Sequence, residues 1–404
     1  MMVRYGQKRK KLLASLGIVL AVSGISCMGV VKGLIGSNLT LLSTLVVLLS
    51  AAFLFTGQQL GYLVVPEGDA GAIFLYSVVT LVLSLFSGYS LMQNGYGFVY
   101  QAAGFVQLWL LWNMNAEDDL DYYAEIGCWF CGFFCLMLLL LLLSSGSLFV
   151  NSFSSGSGEK LFNRSTIGAL SFKTFVFSLA CRPGNKRKQC ARLFFLILSI
   201  IVLLASTRRG AYVAAITCTL LHFRNTHQSG SGIDGERLLS RSLLLGLLFA
   251  VFLLLCSRLD AVRDVLVRAA NSLSSGLHTF FGVDNSDMAA SMRVSAAHRV
   301  LNQYLHHSSV KQVLFGRGYM TTWVDMPFLQ AFWDLGLFGG LFYAFIQFLI
   351  PLKYLLRKAK TPGMRVAQYL TVMSIIEGIM SGYPYGRFFS IILLILTSMA
   401  ANEP

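Results

Sequence analysis

Long, uninterrupted apolar runs recur along the chain and constrain its fold more than any other feature. The segment LMLLLLLL at 136–143 is typical, and short polar stretches separate it from similar runs. About 20 apolar residues in a helix cross the roughly 30 Å hydrocarbon core of a bilayer. Lipid offers no hydrogen-bond partners, so a spanning segment is a helix or part of a closed barrel. Barrel strands alternate in polarity, and these runs do not, so the sequence predicts an all-α integral membrane protein.

We predict about twelve transmembrane helices in a single polytopic membrane domain, residues 1–404. Charged residues form only 12% of the chain, against about 25% in soluble domains. The basic N-terminus and first apolar run resemble a signal peptide, but many spans follow, so we interpret that run as the first helix. The predicted spans are 12–31, 38–57, 70–88, 96–113, 126–146, 162–180, 192–207, 208–224, 242–257, 326–352, 365–382 and 385–400.

Basic residues cluster in alternate connections between these spans. Positive residues favour the cytoplasmic side of a membrane, so the pattern predicts that both termini are cytoplasmic. The acidic connection at 114–125 contributes little to orientation. The same clustering explains the net charge of +14 without nucleic-acid binding. The clusters are Arg4, Lys8, Arg9, Lys10 and Lys11; Arg182, Lys186, Arg187 and Lys188; Arg224, Arg237 and Arg241; and Lys353, Arg357, Lys358, Lys360 and Arg365.

The longest segment without a predicted span is 258–325, which we place outside the membrane between helices 9 and 10. Its first part has apolar residues at helical spacing among arginines, which suits a helix on the outer membrane surface. A second helix is predicted at 288–306. A glycine turn, FGRGY, follows at 315–319. The sequence therefore predicts one large, external, helical loop.

Two adjacent arginines, Arg208 and Arg209, occupy the predicted turn STRRGA at 206–211. Charges at the membrane rim are costly unless they snorkel, pair or bind an anion. The planar guanidinium fork suits phosphate oxygens. The turn is therefore either a pyrophosphate-binding site or an interfacial anchor, and its position alone does not separate the two.

The external loop and the helix after it hold further candidates. Arg293, Arg299 and Arg317 could attract an anionic headgroup, although each alone could belong to a solvated surface. Asp325 enters predicted helix 10, either as an N-cap or as a base for a sugar hydroxyl. We predict no metal site, because the nearby histidines lack metal-site spacing with carboxylates. Glycines 336, 339 and 340 would allow close helix packing.

Lys173, Glu377 and Asp334 are further charges inside apolar segments. Glu377 could pair with Arg387 across an outer turn. The cysteines lie mostly in apolar runs, so packing explains them better than redox chemistry, including the CWFC pair at 128–131.

The spans, the large outer loop, the S-x-x-R-G-A turn and the F-G-x-G-Y turn together resemble the O-antigen polymerase and O-antigen ligase superfamily. These are bacterial glycosyltransferases of the C-type membrane fold. The sharp motifs cover only 206–211 and 293–340. Family ligases carry a two-residue histidine motif, then nine residues, then G-x-x-G; here nine residues, 327–335, separate Asp325-Met326 from Gly336. The missing histidine favours the polymerase.

The resemblance implies a glycan donor on an undecaprenyl pyrophosphate carrier, used at the outer face of a bacterial inner membrane. Arg208, Arg209, Arg293 and Arg317 would bind the pyrophosphate, with Arg209 and Arg293 stabilising the leaving group. Asp325 would activate the acceptor hydroxyl of a lipid-linked repeat unit. No cofactor, nucleotide sugar or metal would be needed. Membrane lipids and a chain-length regulator protein are the expected partners.

Three alternatives remain from the sequence. A ligase would pass the glycan to lipid A-core, as in lipopolysaccharide assembly. A flippase or transporter of lipid-linked sugars would also have many helices and a cationic cavity, with paired repeats and broken helices more typical of it. An inactive assembly subunit would use the arginine turn only as an anchor. The product could equally be O-antigen, capsule or exopolysaccharide.

Overall fold

The computed structural model is helical throughout the part of the chain that it describes. Short turns connect the helices, and no strand occurs among the described residues. Those residues are 2–35, 39–57, 66–85, 91–113, 122–144, 164–181, 184–206, 208–227, 267, 271, 274, 288–319, 324, 326–380, 391, 392 and 395.

The helices are numbered here in chain order. A π-helical turn, Phe345–Leu349, joins the eleventh helix to the twelfth. They are α1 Met2–Ile35, α2 Leu39–Gly57, α3 Gly68–Leu85, α4 Leu91–Trp112, α5 Tyr122–Ser144, α6 Arg164–Ala180, α7 Lys186–Ser206, α8 Arg209–His227, α9 Met288–His306, α10 Val310–Phe315, α11 Pro327–Ala344, α12 Ile350–Leu356 and α13 Pro362–Met380.

Within the described part of the chain, four segments are long and apolar enough to cross a membrane: Arg9–Val31, Tyr122–Ser144, Lys186–Ser206 and Pro327–Leu356. Three shorter apolar helices accompany them, at Ser43–Gly57, Gly68–Leu83 and Ser165–Ala180. The all-helical fold and its membrane-suited helices agree with the sequence prediction. The total of twelve crossings and the external position of the loop stay predictions. The predicted span at 242–257, and most of that at 385–400, lie outside the described residues.

Helix α5 shows how apolar residues divide between the core and the outside of the bundle. Cys131 and Leu138 are fully buried, whereas Phe133 and Leu140 on the same helix are more than half exposed. Large exposed apolar side chains such as these are unusual on a surface that faces water, but they are favourable where the surface contacts lipid tails. The seven described cysteines are free, and all but Cys190 are buried. They pack within the bundle.

Ion pairs and hydrogen bonds at one end of the bundle join helices that are far apart in sequence. Lys188 at the start of α7 pairs with Glu125 of α5 at 2.6 Å. Lys353 of α12 pairs with Asp69 of α3 at 2.5 Å. The first pair joins the beginnings of α5 and α7, and the second joins the beginning of α3 to the end of α12. The Tyr123 hydroxyl at the start of α5 connects the two, because it donates to the Gly363 carbonyl at the start of α13, a few residues after α12. The same grouping follows from the alternating helix directions predicted from the sequence.

Contacts at a second location join the start of α6, the start of α8 and the end of α13. The guanidinium of Arg208, just before α8, bonds both the Ser165 carbonyl and the Glu377 carboxylate. Helix α7 begins beside Lys188 and ends just before Arg208, so this location is at the opposite end of the bundle from the Lys188–Glu125 pair. The predicted arginine turn therefore lies where three helix ends meet.

Candidate functional site: a charged cavity and an interrupted helix

The turn between α7 and α8 is built around Ser206 and Arg208. The Ser206 hydroxyl donates to the Leu203 carbonyl at 2.7 Å, and the Arg208 backbone N–H donates to the same hydroxyl at 3.3 Å. The aliphatic part of Arg208 lies against Gly168 of α6, where a Cβ would come within 3.0 Å of it. Ala211 is completely buried on α8. Small residues thus let the arginine lie between two helices.

Arg208 uses both terminal nitrogens within the bundle. Nη1 donates to the Ser165 carbonyl at 2.8 Å, and Nη2 donates to Glu377 Oε1. The side chains are only 17% and 30% exposed, so the pair is partly shielded from solvent. Removing one member of a shielded pair leaves the other charge without compensation, which is costly. The predicted partner of Glu377, Arg387, lies outside the described residues.

A cavity of about 260 Å³ extends into the bundle beside this ion pair. Its polar lining includes Arg208, Glu377 and, deeper on α6, Lys173; helices α1, α2, α4 and α13 also contribute. Lys173 is buried and its Nζ donates to Ser26 Oγ at 2.8 Å. Charged side chains inside membrane bundles usually line functional cavities or pathways. The cavity is slightly smaller than common small-molecule sites, so it suits a headgroup rather than a whole oligosaccharide.

The structure locates three of the other predicted site residues but does not bring them into this cavity. Arg209 begins α8 and is half-buried, and Arg293 lies on α9 and is half-buried as well. Neither is among the residues that line the cavity. Arg317 lies in the glycine turn after α10. Asp325 is outside the described residues; the N-cap position of α11 is Met326, which makes no side-chain capping bond.

Helix α11 is interrupted at Gly336, where φ is 69° and ψ is −165°. The interruption frees the Trp333 and Asp334 carbonyls from helical bonding. The glycine turn satisfies them: Arg317 N–H donates to Trp333 O at 3.0 Å, and Gly318 N–H donates to Asp334 O at 3.1 Å. A broken helix at membrane depth needs such substitute donors.

The two glycine motifs lie against each other at this break. A Cβ on Gly336 would overlap backbone atoms of Leu314 and Gly316, and a Cβ on Gly316 would overlap the Asp334 carbonyl. Gly316 has φ 82° and ψ −177°. Backbone therefore touches backbone at both positions, and only glycine fits either one. Gly336 is therefore closely packed, but its partner is the turn at 315–319 and the residue before it rather than a second helix, whereas Gly339 and Gly340 lie against side chains of their own helix.

Asp334 has a positioning role that the sequence did not reveal. Its side chain is buried and accepts a hydrogen bond from Gln330 Nε2 at 2.9 Å. Gln330 Oε1 in turn accepts the Val324 backbone N–H at 2.7 Å. This chain of bonds holds Val324, the residue just before Asp325, against α11. The residue that precedes α11 is therefore hydrogen-bonded to α11 itself, the helix that is interrupted at Gly336.

Arg317, predicted to bind pyrophosphate, contacts its own loop and Trp333. Its guanidinium carbon lies 4.2 Å from the centre of the Trp333 ring. Nη2 donates to Ser308 Oγ at 2.9 Å. A cation over an indole face is favourable, and more so when partly desolvated. Arg317 therefore fixes the glycine turn onto α11.

We expect Arg317→Lys to lower the free energy of unfolding by about 1 kcal/mol, because an ammonium has no planar face to stack on the indole. Thermal unfolding of the purified protein would measure this. Arg299→Lys, on the exposed side of α9, is the matched control. If Arg317→Lys instead left stability unchanged and weakened diphosphate binding, Arg317 would belong to the anion site.

No protein-family model matches the chain, and a search of curated proteins finds no relative. The site must therefore be interpreted from its own chemistry. That chemistry comprises a cationic cavity at one end of the bundle and a separate, glycine-built junction between a loop and a broken helix.

Proposed function

We propose that the protein is a membrane glycosyltransferase that polymerises a polysaccharide from lipid-linked repeat units. The donor glycan would be carried on undecaprenyl pyrophosphate, and the acceptor would be an incoming lipid-linked unit. The observation that carries the proposal is the cavity beside the S-x-x-R-G-A turn, because it combines a buried ammonium, that of Lys173, and a partly shielded guanidinium, that of Arg208, with an opening among apolar helices. A lipid diphosphate has the matching chemistry: an anionic headgroup on an apolar tail.

The reaction needs two kinds of group. The acceptor hydroxyl oxygen bonds to the anomeric carbon of the donor as the bond from that carbon to the pyrophosphate oxygen breaks. Asp325 takes the hydroxyl proton in this proposal, as a general base. Arg209 and Arg293, with Arg208 in the turn, stabilise the negative charge that develops on the departing pyrophosphate. The activated carrier supplies the driving force, so the scheme requires no nucleotide sugar.

The junction at Gly336 supports this assignment of Asp325. The Val324–Gln330–Asp334 bonds hold Val324, the residue just before Asp325 in the sequence, against α11. A general base must be held within hydrogen-bond reach of the proton that it removes. In the proposed orientation, with both termini in the cytoplasm, the arginine turn and the start of α11 face the exterior of a bacterial inner membrane.

A transporter of lipid-linked sugars is the second candidate, and the interruption of α11 is the observation that favours it. Broken helices near the bilayer midplane often form substrate sites in transporters. Here, however, the freed carbonyls bond to the protein's own glycine turn rather than facing an open cavity. The junction thus has less capacity to bind a substrate than the break alone would indicate.

Purified protein in lipid vesicles, supplied only with undecaprenyl-pyrophosphate-linked repeat units, tests the proposal. We expect a ladder of longer lipid-linked glycans on a gel. Units that stay intact, but are joined to lipid A-core once it is added, would indicate the ligase. Units that cross the bilayer without lengthening would indicate the transporter. Either result would overturn the polymerase.

A further inference from the structure

The carboxylate of Glu377 is bonded to the guanidinium of Arg208, which is the group that the pyrophosphate of the proposed donor would need. Its ion pair with Arg208 engages the guanidinium at the cavity wall. Nη1 of that guanidinium donates to the Ser165 carbonyl and Nη2 donates to Glu377 Oε1, so both terminal nitrogens already have an acceptor. An incoming phosphate and the Glu377 carboxylate therefore compete for Arg208, and two anions of like sign repel each other most strongly where solvent is scarce.

Lys173 provides a second cation in the same cavity. It lies about two helical turns along α6 from Ser165, and Ser165 itself bonds Arg208. Its hydrogen bond to Ser26 Oγ fixes the ammonium between α1 and α6. Lys173 and Arg208 therefore line the same cavity, with Lys173 at the deeper position. A compact ammonium is a common ligand for phosphate oxygens beside an arginine.

We propose that Lys173 and Arg208 together bind one diphosphate group in this cavity, and that Glu377 is a competing carboxylate that occupies Arg208 when the site is empty. The inference rests on the proposed function, which identifies the lipid carrier. The ligand class that it requires is a diphosphate on a prenyl chain. Glu377 then sets the affinity of the site: it keeps Arg208 in place and is displaced when the anion enters.

The inference predicts opposite effects on diphosphate affinity for substitutions at two residues that line the same cavity. Glu377→Gln should tighten diphosphate binding, because the competing charge is gone. Lys173→Gln should weaken diphosphate binding, because one of the two cations that bind the diphosphate is lost. We expect changes of roughly tenfold to a hundredfold, the range for one charge-assisted hydrogen bond. A purely structural ion pair would instead make Glu377→Gln weaken binding or unfold the protein.

Binding of farnesyl diphosphate to the full-length protein in detergent, followed by calorimetry, measures these effects. Inorganic pyrophosphate and farnesol serve as the two other probes, so that headgroup and tail are separated. Tight binding of farnesyl diphosphate alone identifies a lipid headgroup; equal binding of inorganic pyrophosphate identifies a free anion. Glu125→Gln is the matched control, since that carboxylate pairs with Lys188 at the other end of the bundle and is 28% exposed.

Glu377→Asp provides a second variant should the glutamine variant fail to fold. Its charge is kept but its reach is shorter by one methylene, so the competition should weaken and binding should tighten modestly. Thermal unfolding of every variant establishes that each is folded. Weaker binding in folded Glu377→Gln, or unchanged binding in folded Lys173→Gln, would overturn the inference. Correct binding effects without a glycan ladder would overturn only the proposed polymerase.

Discussion

Replacing Gly336 with alanine should leave little folded protein. The backbone there has φ 69° and ψ −165°, in a region that is essentially restricted to glycine and costs other residues about 1–3 kcal/mol. The added Cβ would also overlap the Leu314 carbonyl and the Gly316 nitrogen. Backbone cannot move aside as a flexible side chain can. Together these effects place the loss among the largest single-residue effects, about 4 kcal/mol or more.

Gly68→Ala is the matched control for this prediction. Gly68 has φ +57°, but nothing lies within 4 Å of the Cβ that it would gain. Its substitution therefore costs only the left-handed backbone, about 1–2 kcal/mol. Size-exclusion chromatography and thermal unfolding of both variants would compare them. Similar melting temperatures for Gly336→Ala and Gly68→Ala would mean that the glycine turn does not dock tightly onto α11.

Helix positions could be predicted because hydropathy is a local property of the chain. The apolar runs place α1, α5 and α7 well, and the second loop helix at 288–306 coincides with α9. The glycine turn at 315–319 is also where positive φ angles occur, at Gly316 and Gly318. In each case the residues that cause the structure are adjacent in sequence.

The tertiary contacts of the site could not be predicted in the same way. Arg208 and Glu377 are 169 residues apart, and no periodicity joins two single charges on different helices. Proximity in sequence favours Arg387 as the neighbour of Glu377, whereas the ion pair in the structure is with Arg208. Similarly, the glycines at 316 and 336 could each be recognised, but not their contact, because it depends on how the loop folds back onto α11.

Arg209→Ala should reduce glycan transfer by about a hundredfold to a thousandfold, the range for loss of one donor to a developing oxyanion. Arg209 begins α8 beside the cavity-lining Arg208, so the proposed function assigns it the departing pyrophosphate. The glycan ladder from reconstituted vesicles measures the rate. Arg187→Ala, an exposed arginine in the first turn of α7 at the other end of the bundle, should leave the rate unchanged.

The alternative role of Arg209, as an anchor at the membrane rim, has a different outcome. An anchor contributes to insertion and stability, so Arg209→Ala would lower the yield of inserted protein while each inserted molecule transferred glycan at the normal rate. Normalising the ladder to the amount of inserted protein separates the two roles. Full activity per inserted molecule would remove Arg209 from the catalytic site and leave Arg208 and Lys173, in the cavity itself, as the cations that bind the diphosphate.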